Sequence, residues 1–506
     1  MRLLIRHFIL GLLLNIGWIS VSAQVQQRWH LRVTEPNPSD TLGSNNSGHS
    51  LDAMALDGDG NVFLAGQIMG FSGGAYVTKS SGAGQVLWEK HLGPVQMDSL
   101  VVNASGNAFV SLHTITDEVN SVSLVKLDPA GNQVWRAEPE TNTVGLAHIS
   151  SLVQNSQGEL FWLTLLAIPD PGGDVGKTAY PWIVSKFSED GRRLWRTELP
   201  DGHMAFGDGG LLDSLAAGPD GGVVIAGFRC TRLNFDGTVR WTVLPPIKPG
   251  ESDSIFSTAA VGVSGAVLAG GEFISPEGKT TQAGWPGQHN RTVGYIPGQG
   301  FLTSVGEAIW CIDDQGQERW HIWLGNVFAS SPHGDAGTMA LAFPPSGDGW
   351  FVFAQGDYYG GLFIWRFEND GRLRWRQRVS DLGSDQVRLA AAADGTLVAA
   401  VGRYDSYGYS LPAEVFSFAI EEDPAAPRVT SSPAAADWDG VTPLTLSVEA
   451  VGEALTYQWR RVWQTCAGET NSSITSSQSR ANSPSQEAIG AKSRTLTGLR
   501  RAEWPV

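Results

Sequence analysis

A glycine followed, four residues later, by a tryptophan keeps returning along the chain, and six copies recur at intervals that suggest a repeat: Gly84 to Trp88, Gly131 to Trp135, Gly191 to Trp195, Gly237 to Trp241, Gly316 to Trp320 and Gly371 to Trp375. The copies are several tens of residues apart, the period of a repeat array in which each unit is one supersecondary element. A chain of 506 residues exceeds one ordinary core, and 19 tryptophans supply large flat side chains to bury between units.

Upstream of these elements lies a second recurring pattern, an alternating apolar run, a tight glycine turn and another alternating run. Its first copy is "LDAMALDGDGNVFLAG" at 51–66, and six more fall at 99–112, 151–163, 214–227, 258–271, 339–354 and 387–402. Small and β-branched residues around an Asn/Asp/Ser-Gly turn make a β-hairpin, because glycine supplies the positive φ that a tight connection needs. The Gly-x-x-x-Trp pentapeptide ends a second hairpin, as in "SLVKLDPAGNQVWRAE" at 123–138. Each unit is thus four antiparallel strands, the sequence signature of a β-propeller blade.

Seven inner hairpins against six Gly-x-x-x-Trp strands leave the last unit, ending in "AEVFSFAI" at 413–420, without an outer strand. The segment "VQQRWHLRV" at 25–33 carries Trp29 and has no unit of its own. The expectation is an all-β, seven-bladed β-propeller over 24–422, closed by that N-terminal strand so that no open edge remains. A monomer follows.

The two ends read differently. Arg2 and Arg6, the apolar run "FILGLLL" and small residues up to Ala23 read as a secretory signal peptide at 1–23, placing the protein outside the cell or on its surface without a membrane span. The Pro-rich 423–433 reads as a linker, and 434–464 as two alternating strands around Trp459. The Ser/Thr-rich 465–506 loses its apolar pattern and is expected to be disordered.

Taken together, the repeats resemble the PQQ-like β-propeller repeats of bacterial exported proteins over about residues 24–420, with the Gly-x-x-x-Trp element as the carrier. In the quinoprotein dehydrogenases of that group, eight blades hold the quinone above a calcium ion, with a disulfide between adjacent cysteines and an Asp base. Seven blades and no adjacent cysteines point instead to the non-enzymatic members, with no cofactor. The stretch 427–461, with "TYQW" at 456–459, resembles the first half of a bacterial immunoglobulin-like domain; the usual Asp-x-Gly-x-Tyr corner does not follow, so either the domain is truncated or the reading frame has shifted near Arg461.

The net charge of −16 disfavours nucleic acid and anionic membrane surfaces. Cys230, Cys311 and Cys466 are too few and too scattered for a disulfide framework; Cys230 and Cys311 could face one another on neighbouring units, but read best as buried free thiols. "DGDGN" at 57–61 begins like a calcium loop, yet Val62 and Ile68 occupy the places of the required Gly and Glu, so it reads as a hairpin turn. "SEDGRRLW" at 188–195 is similar to the sialidase Asp-box, with the glycine misplaced. The histidines lack zinc-ligand spacing, and no nucleophile elbow or phosphate loop is present.

Insertions are then where binding is expected. The longest, 272–307, is assigned to the fifth blade and contains "GWPGQHNRTVGY", with Trp285, His289, Arg291 and Tyr295 as candidate ligand-binding residues; a shorter one spans 168–182. The expected function is a secreted, non-catalytic scaffold for a protein or glycan partner. The alternative is an exported lyase or glycosidase with acids in the central channel. A cluster of Asp, Glu, His, Arg and Tyr at one channel mouth would favour the enzyme, and a channel lined by small apolar residues the scaffold.

Overall fold

In the computed structural model each Gly-x-x-x-Trp element begins at a three-residue hairpin loop. At the first, the Gly84 amide donates to Ser81 O (2.8 Å) and the Ser81 amide to Gln85 O (2.8 Å), with Gly84 at φ 80°. A tight turn followed by a left-handed glycine is a bulged hairpin, and the register duly shifts between Lys79 and Ser80. The other copies repeat this geometry. The structure describes residues 27–32, 50–68, 74–115, 120–137, 140–142, 150–165, 181–199, 214–227, 229–245, 256, 258–281, 292–305, 308–323, 339–344, 350–357, 361–380, 386–392, 394–404, 410–419, 428–431, 444–447, 449–451, 460–461, 464–465 and 473–476.

These residues form eight blades, each an antiparallel sheet with its strands in chain order from the inside outward. Blade 1 is Ala53–Leu56, Val62–Ile68, Gly74–Ser80 and Val86–His91; blade 2 is Gln96–Val102, Ala108–Ile115, Asn120–Leu127 and Gln133–Arg136, with Glu140–Asn142 also on its third strand. Blade 3 comprises Ser150–Gln154, Leu160–Leu165, Trp182–Phe187 and Arg193–Leu199, and blade 4 Ser214–Ala217, Val223–Ala226, Cys230–Leu233 and Val239–Val243. Blade 5 (Ala259–Val261, Val267–Ala269, Glu272–Ile274, Thr280–Thr281) is the shortest. Blade 6 is Thr292–Ile296, Gly300–Val305, Ala308–Ile312 and Glu318–Trp323, and blade 7 Met339–Ala342, Trp350–Asp357, Gly361–Glu368 and Leu373–Ser380. Blade 8 combines Gln386–Ala391, Thr396–Tyr404 and Ser410–Ala419 with Gln27–Arg32 as its outer strand. The innermost strands neighbour one another in sequence order, and that of blade 8 meets that of blade 1.

The seven blades counted from the sequence are therefore corrected to eight. Residues 272–307 are no insertion: they hold the outer half of blade 5 and the inner half of blade 6. Two weak signals adjoin there. The outer strand of blade 5 is two residues long and lacks the tryptophan, and the first hairpin of blade 6 turns at Pro297-Gly298 instead of an Asn/Asp/Ser-Gly pair.

The core lies between blades. Phe63, Val77, Val110 and Leu127 share one apolar cluster across blades 1 and 2, and Phe161, Val184, Val223 and Ile225 another across blades 3 and 4. Each blade so buries both faces against its neighbours, the condition under which no single blade is stable alone.

Beyond the ring, Arg428–Ser431 pairs with Glu449–Val451, although the sequence places it in a linker. Leu444–Ser447 pairs with Ser473–Ser476, so a stretch expected to be disordered contributes a strand. Polar β-branched runs carry too little hydrophobicity to announce a strand whose partner is thirty residues away. The segment 1–23 that reads as a signal peptide, Trp459 and 477–506 lie outside the described residues. Among the described residues no helix is long and apolar enough to cross a membrane.

Candidate functional site

The antiparallel order gives the ring two unlike ends. Among the described residues tight glycine turns close first and third connections at one end, with Asp57, Asn103, Asp128, Asn155 and Asp313 side chains accepting backbone amides within them. The second connections and the passages between blades all leave from the other, the open end. Loops on a rigid scaffold are where recognition concentrates, so the open end is the candidate face.

Where blades 8, 1 and 2 meet at that end, polar side chains gather. A bulge between Met97 and Ser99 takes Asp98 out of the strand ladder, and its Oδ1 lies 2.6 Å from His113 Nδ1, both side chains being buried. Ser50 Oγ donates to Asp52 Oδ2 (3.0 Å), and Tyr76 OH to the carbonyl of Ser50 (3.0 Å). From blade 8, Arg388 donates through Nε and Nη2 to the carbonyl of Asp52 (3.2 and 3.0 Å). Burial holds the Asp52 carboxyl above the usual carboxylate range; the Ser50 hydrogen bond and Arg388 oppose this and the nearby Asp98 charge adds to it. Burial likewise pushes the Tyr76 phenol up, helped by Asp52 and Glu89.

Of this group Asp52 and Arg388 are half-buried at the open end, whereas Tyr76, His113 and the Asp98 side chain are buried beneath them. The innermost strands below it are mostly small or apolar: Ala53-Met54-Ala55-Leu56, Ser214-Leu215-Ala216-Ala217, Ala259-Ala260-Val261 and Met339-Ala340-Leu341-Ala342. Among the described residues no three His, Cys, Asp or Glu side chains are grouped to hold a metal ion.

Of the residues nominated from sequence, Trp285, His289 and Arg291 lie outside the described residues. Tyr295 is on the innermost strand of blade 6, edge-on to Phe301 (5.0 Å between centroids), and its hydroxyl donates to Asp314 Oδ2 (3.2 Å) at the tight-turn end. It packs in a seam, away from the open-end cluster. Cys230 and Cys311 are free and buried in blades 4 and 6, with blade 5 between them.

A second constellation escaped the sequence reading and holds the seams. Five residues before each of the six motif glycines, and before Gly278 in the equivalent turn of blade 5, stand on the third strand Lys79, Lys126, Lys186, Arg232, Phe273, Cys311 and Arg366. The first four reach the next blade. Lys79 Nζ donates to Pro129 O (3.4 Å), Lys126 to Glu189 O (3.3 Å), Lys186 to Gly221 O and Phe235 O (both 3.4 Å), and Arg232 Nη1 to Gly265 O (2.7 Å).

Carboxylates complete their shells: Asp57 for Lys79 (3.1 Å), Glu189 for Lys126 (3.0 Å), Glu159 for Lys186 (2.7 Å) and Asp220 for Arg232 (2.9 Å). Each lysine also lies over a phenylalanine of its own blade, Phe63, Phe109 or Phe161, about a cation–π distance away (4.9, 5.4 and 5.2 Å). The available signal was the recurrence of Lys or Arg at a fixed offset from the glycine.

No protein-family profile matches the chain, and no curated protein matches it. Among solved structures it is similar to the C-terminal WD40 domain of Sif2 (11% identity, TM-score 0.44, covering 80% of this chain and all of that one). It is also similar to apo AztD from Citrobacter koseri (10%, 0.41, covering 73% and 95%) and to the Dos1 propeller (9%, 0.39, covering 79% and 96%). At such identities the likeness concerns fold alone, and the blade count above stands on the strand pairing itself.

Proposed function

We propose that this protein is an exported, non-catalytic β-propeller scaffold that engages a protein or glycan partner with the open end of its ring. The observation that carries the reading is the asymmetry of the two ends: tight turns closed on themselves at one, and at the other the passages between blades with the Asp52, Asp98, His113 and Arg388 group. The polar groups there bond to one another and to backbone, which suits a surface that positions loops. The signal-peptide-like N-terminus supports export. The resemblance to PQQ-like repeats supports the same setting; eight blades remove the blade count as a ground for setting the quinoprotein dehydrogenases apart, while adjacent cysteines are still missing from the sequence.

Site-directed photo-crosslinking in envelope fractions tests this. A photoreactive residue at Gln96 or Gln386, at the open end, should capture a discrete partner, whereas one at Ala83 or Gln315, in tight turns, should not. Capture from the tight turns alone would overturn the reading. The enzyme reading is favoured by one observation, the buried Asp98–His113 pair beside Asp52. It would replace the scaffold if the protein degraded an acidic polysaccharide and Asp98→Asn abolished turnover without lowering stability.

A further inference from the structure

Around the ring, the outer-strand tryptophan of one blade covers the motif glycine of the next. A Cβ built on Gly84, Gly131, Gly191, Gly237 or Gly278 would lie 2.6–2.9 Å from the indole of Trp29, Trp88, Trp135, Trp195 or Trp241, and one on Gly371 3.1 Å from Trp320. In the first five the indole Nε1 also donates to the carbonyl two residues before the glycine: Gly82 (2.8 Å), Pro129 (2.9 Å), Glu189 (3.1 Å), Phe235 (2.8 Å) and Pro276 (3.1 Å).

The seam between blades 5 and 6 is built otherwise. The outer strand of blade 5 stops at Thr281, and Gly316 of blade 6 is covered by Phe273, 2.8 Å from its hypothetical Cβ. Phe273 comes from the third strand, at the position where Lys or Arg stands in blades 1 to 4 and 7. One apolar ring thus takes the place of both the indole and the cation. It packs on Phe301 (6.1 Å, edge to face), so the seam is filled, but a phenyl ring has no N–H or charge to give to the carbonyls of the next blade.

We infer that blades 5 and 6 form the built-in opening point of the ring, where the closed propeller first parts under stress. Among the described residues this seam alone has neither an indole over its motif glycine nor a Lys or Arg at the third-strand position, and a ring under strain opens where the local free energy is lowest. The other seams that miss the cation keep the indole: Cys311 and Ser417 occupy the cation position in blades 6 and 8, yet Trp320 and Trp29 cover Gly371 and Gly84.

Hydrogen exchange of the full chain in sub-denaturing urea, read by mass spectrometry, tests the inference. Every motif turn carries the same two backbone bonds, such as Asp313 N to Gln317 O (2.8 Å) and Gly316 N to Asp313 O (3.0 Å) in blade 6, and Asn234 N to Thr238 O (2.9 Å) and Gly237 N to Asn234 O (3.0 Å) in blade 4. The turns are therefore matched reporters. Peptides spanning 313–320 should exchange about 10-fold faster than those spanning 81–88, 128–135, 188–195 and 234–241, the factor expected for one net hydrogen bond. Trp195→Phe, which keeps the ring area and removes only the indole N–H, should raise exchange at 234–241 toward that of 313–320. Equal or slower exchange at 313–320 in the unmodified protein would overturn the inference, even if the variant did not fold.

Discussion

The indole of Trp29 and the α-carbon of Gly84 are in contact across the join between the two ends of the chain: a Cβ on Gly84 would lie 2.6 Å from the ring, and Trp29 Nε1 donates to Gly82 O at 2.8 Å. Trp29 belongs to the outer strand of blade 8, and Gly84 to the outer hairpin of blade 1. Arg28 adds a hydrogen bond to Thr396 (2.7 Å) on the same side of the join.

The strand containing Trp29 is expected to hold the ring shut. Deleting 25–33 should expose the edge of Ser410–Ala419 and cause aggregation or a clear loss of melting temperature. Trp29→Ala should cost about 2–3 kcal/mol, less than a fully buried tryptophan because the ring is half-exposed. Gly84→Ala should cost ~2–4 kcal/mol, since alanine would bear both the left-handed φ and the overlap with the indole. Urea unfolding of the three proteins checks this, and unchanged midpoints would show that the join bears no load.

Lys186 is the sharpest test of the cation row, because its side chain is 5% exposed and meets Glu159, two carbonyls of blade 4 and Phe161. Lys186→Met keeps the stem and removes the charge, leaving Gly221 O without this donor and Glu159 without its counter-charge, while Asn155 still donates to Glu159 and Trp195 Nε1 to Phe235 O. A loss of about 2–3 kcal/mol is expected, against ~1 kcal/mol for Glu159→Gln, whose partner keeps its carbonyl bonds. Equal effects in denaturant unfolding would mean that the lysine acts only through its carboxylate.

Acid should loosen the same seams. Burial by itself would raise Asp57, Glu159 and Asp220, but hydrogen bonds and charge from Asn61 and Lys79, from Lys186 and Asn155, and from Arg232 outweigh it and leave each below its usual range. A carboxyl depressed in the folded state binds its proton more tightly in the unfolded chain. Its contribution is complete above the unfolded pKa and is lost as pH falls through the folded one. Asp52, raised by burial, works in the opposite direction but is one group against three. Melting temperature should therefore be level above about pH 5 and fall below about pH 4. Lys186→Met should flatten that fall, and a melting temperature that rose on acidification would contradict the assignment.

The two thiols in the ring should be silent until it opens. Burial pushes the Cys311 thiol up to about 12 and the Cys230 thiol higher still, so neither forms the reactive thiolate at pH 8. In a Cys466→Ser background, an aromatic disulfide reagent should label neither in buffer and both in denaturant. Stoichiometric labelling of the native protein would show that these strands are not buried as described.

Much of the ring is local chemistry, and local chemistry is legible in the sequence. A glycine that must take positive φ at a bulged hairpin, a tryptophan at a fixed distance after it and alternating small apolar residues before it gave the four-stranded blade and the role of Trp29 as the missing outer strand, because each depends on only a few neighbouring residues. The same locality explains the miscount: Thr280–Thr281 and the Pro297-Gly298 hairpin are weak signals taken singly, and only pairing with Phe273–Ile274 and with Phe301 shows them to be strands of two blades. What Lys186 touches was out of reach, since Gly221 and Phe235 are 35 and 49 residues away and come beside it only when the ring curls one blade against the next. The meeting of Arg388 with Asp52, 336 residues apart, is likewise set by closure of the ring. Turn geometry fixes the blade within a few residues of chain; the company of a buried charge is fixed by the packing of whole blades, which no short stretch of sequence encodes.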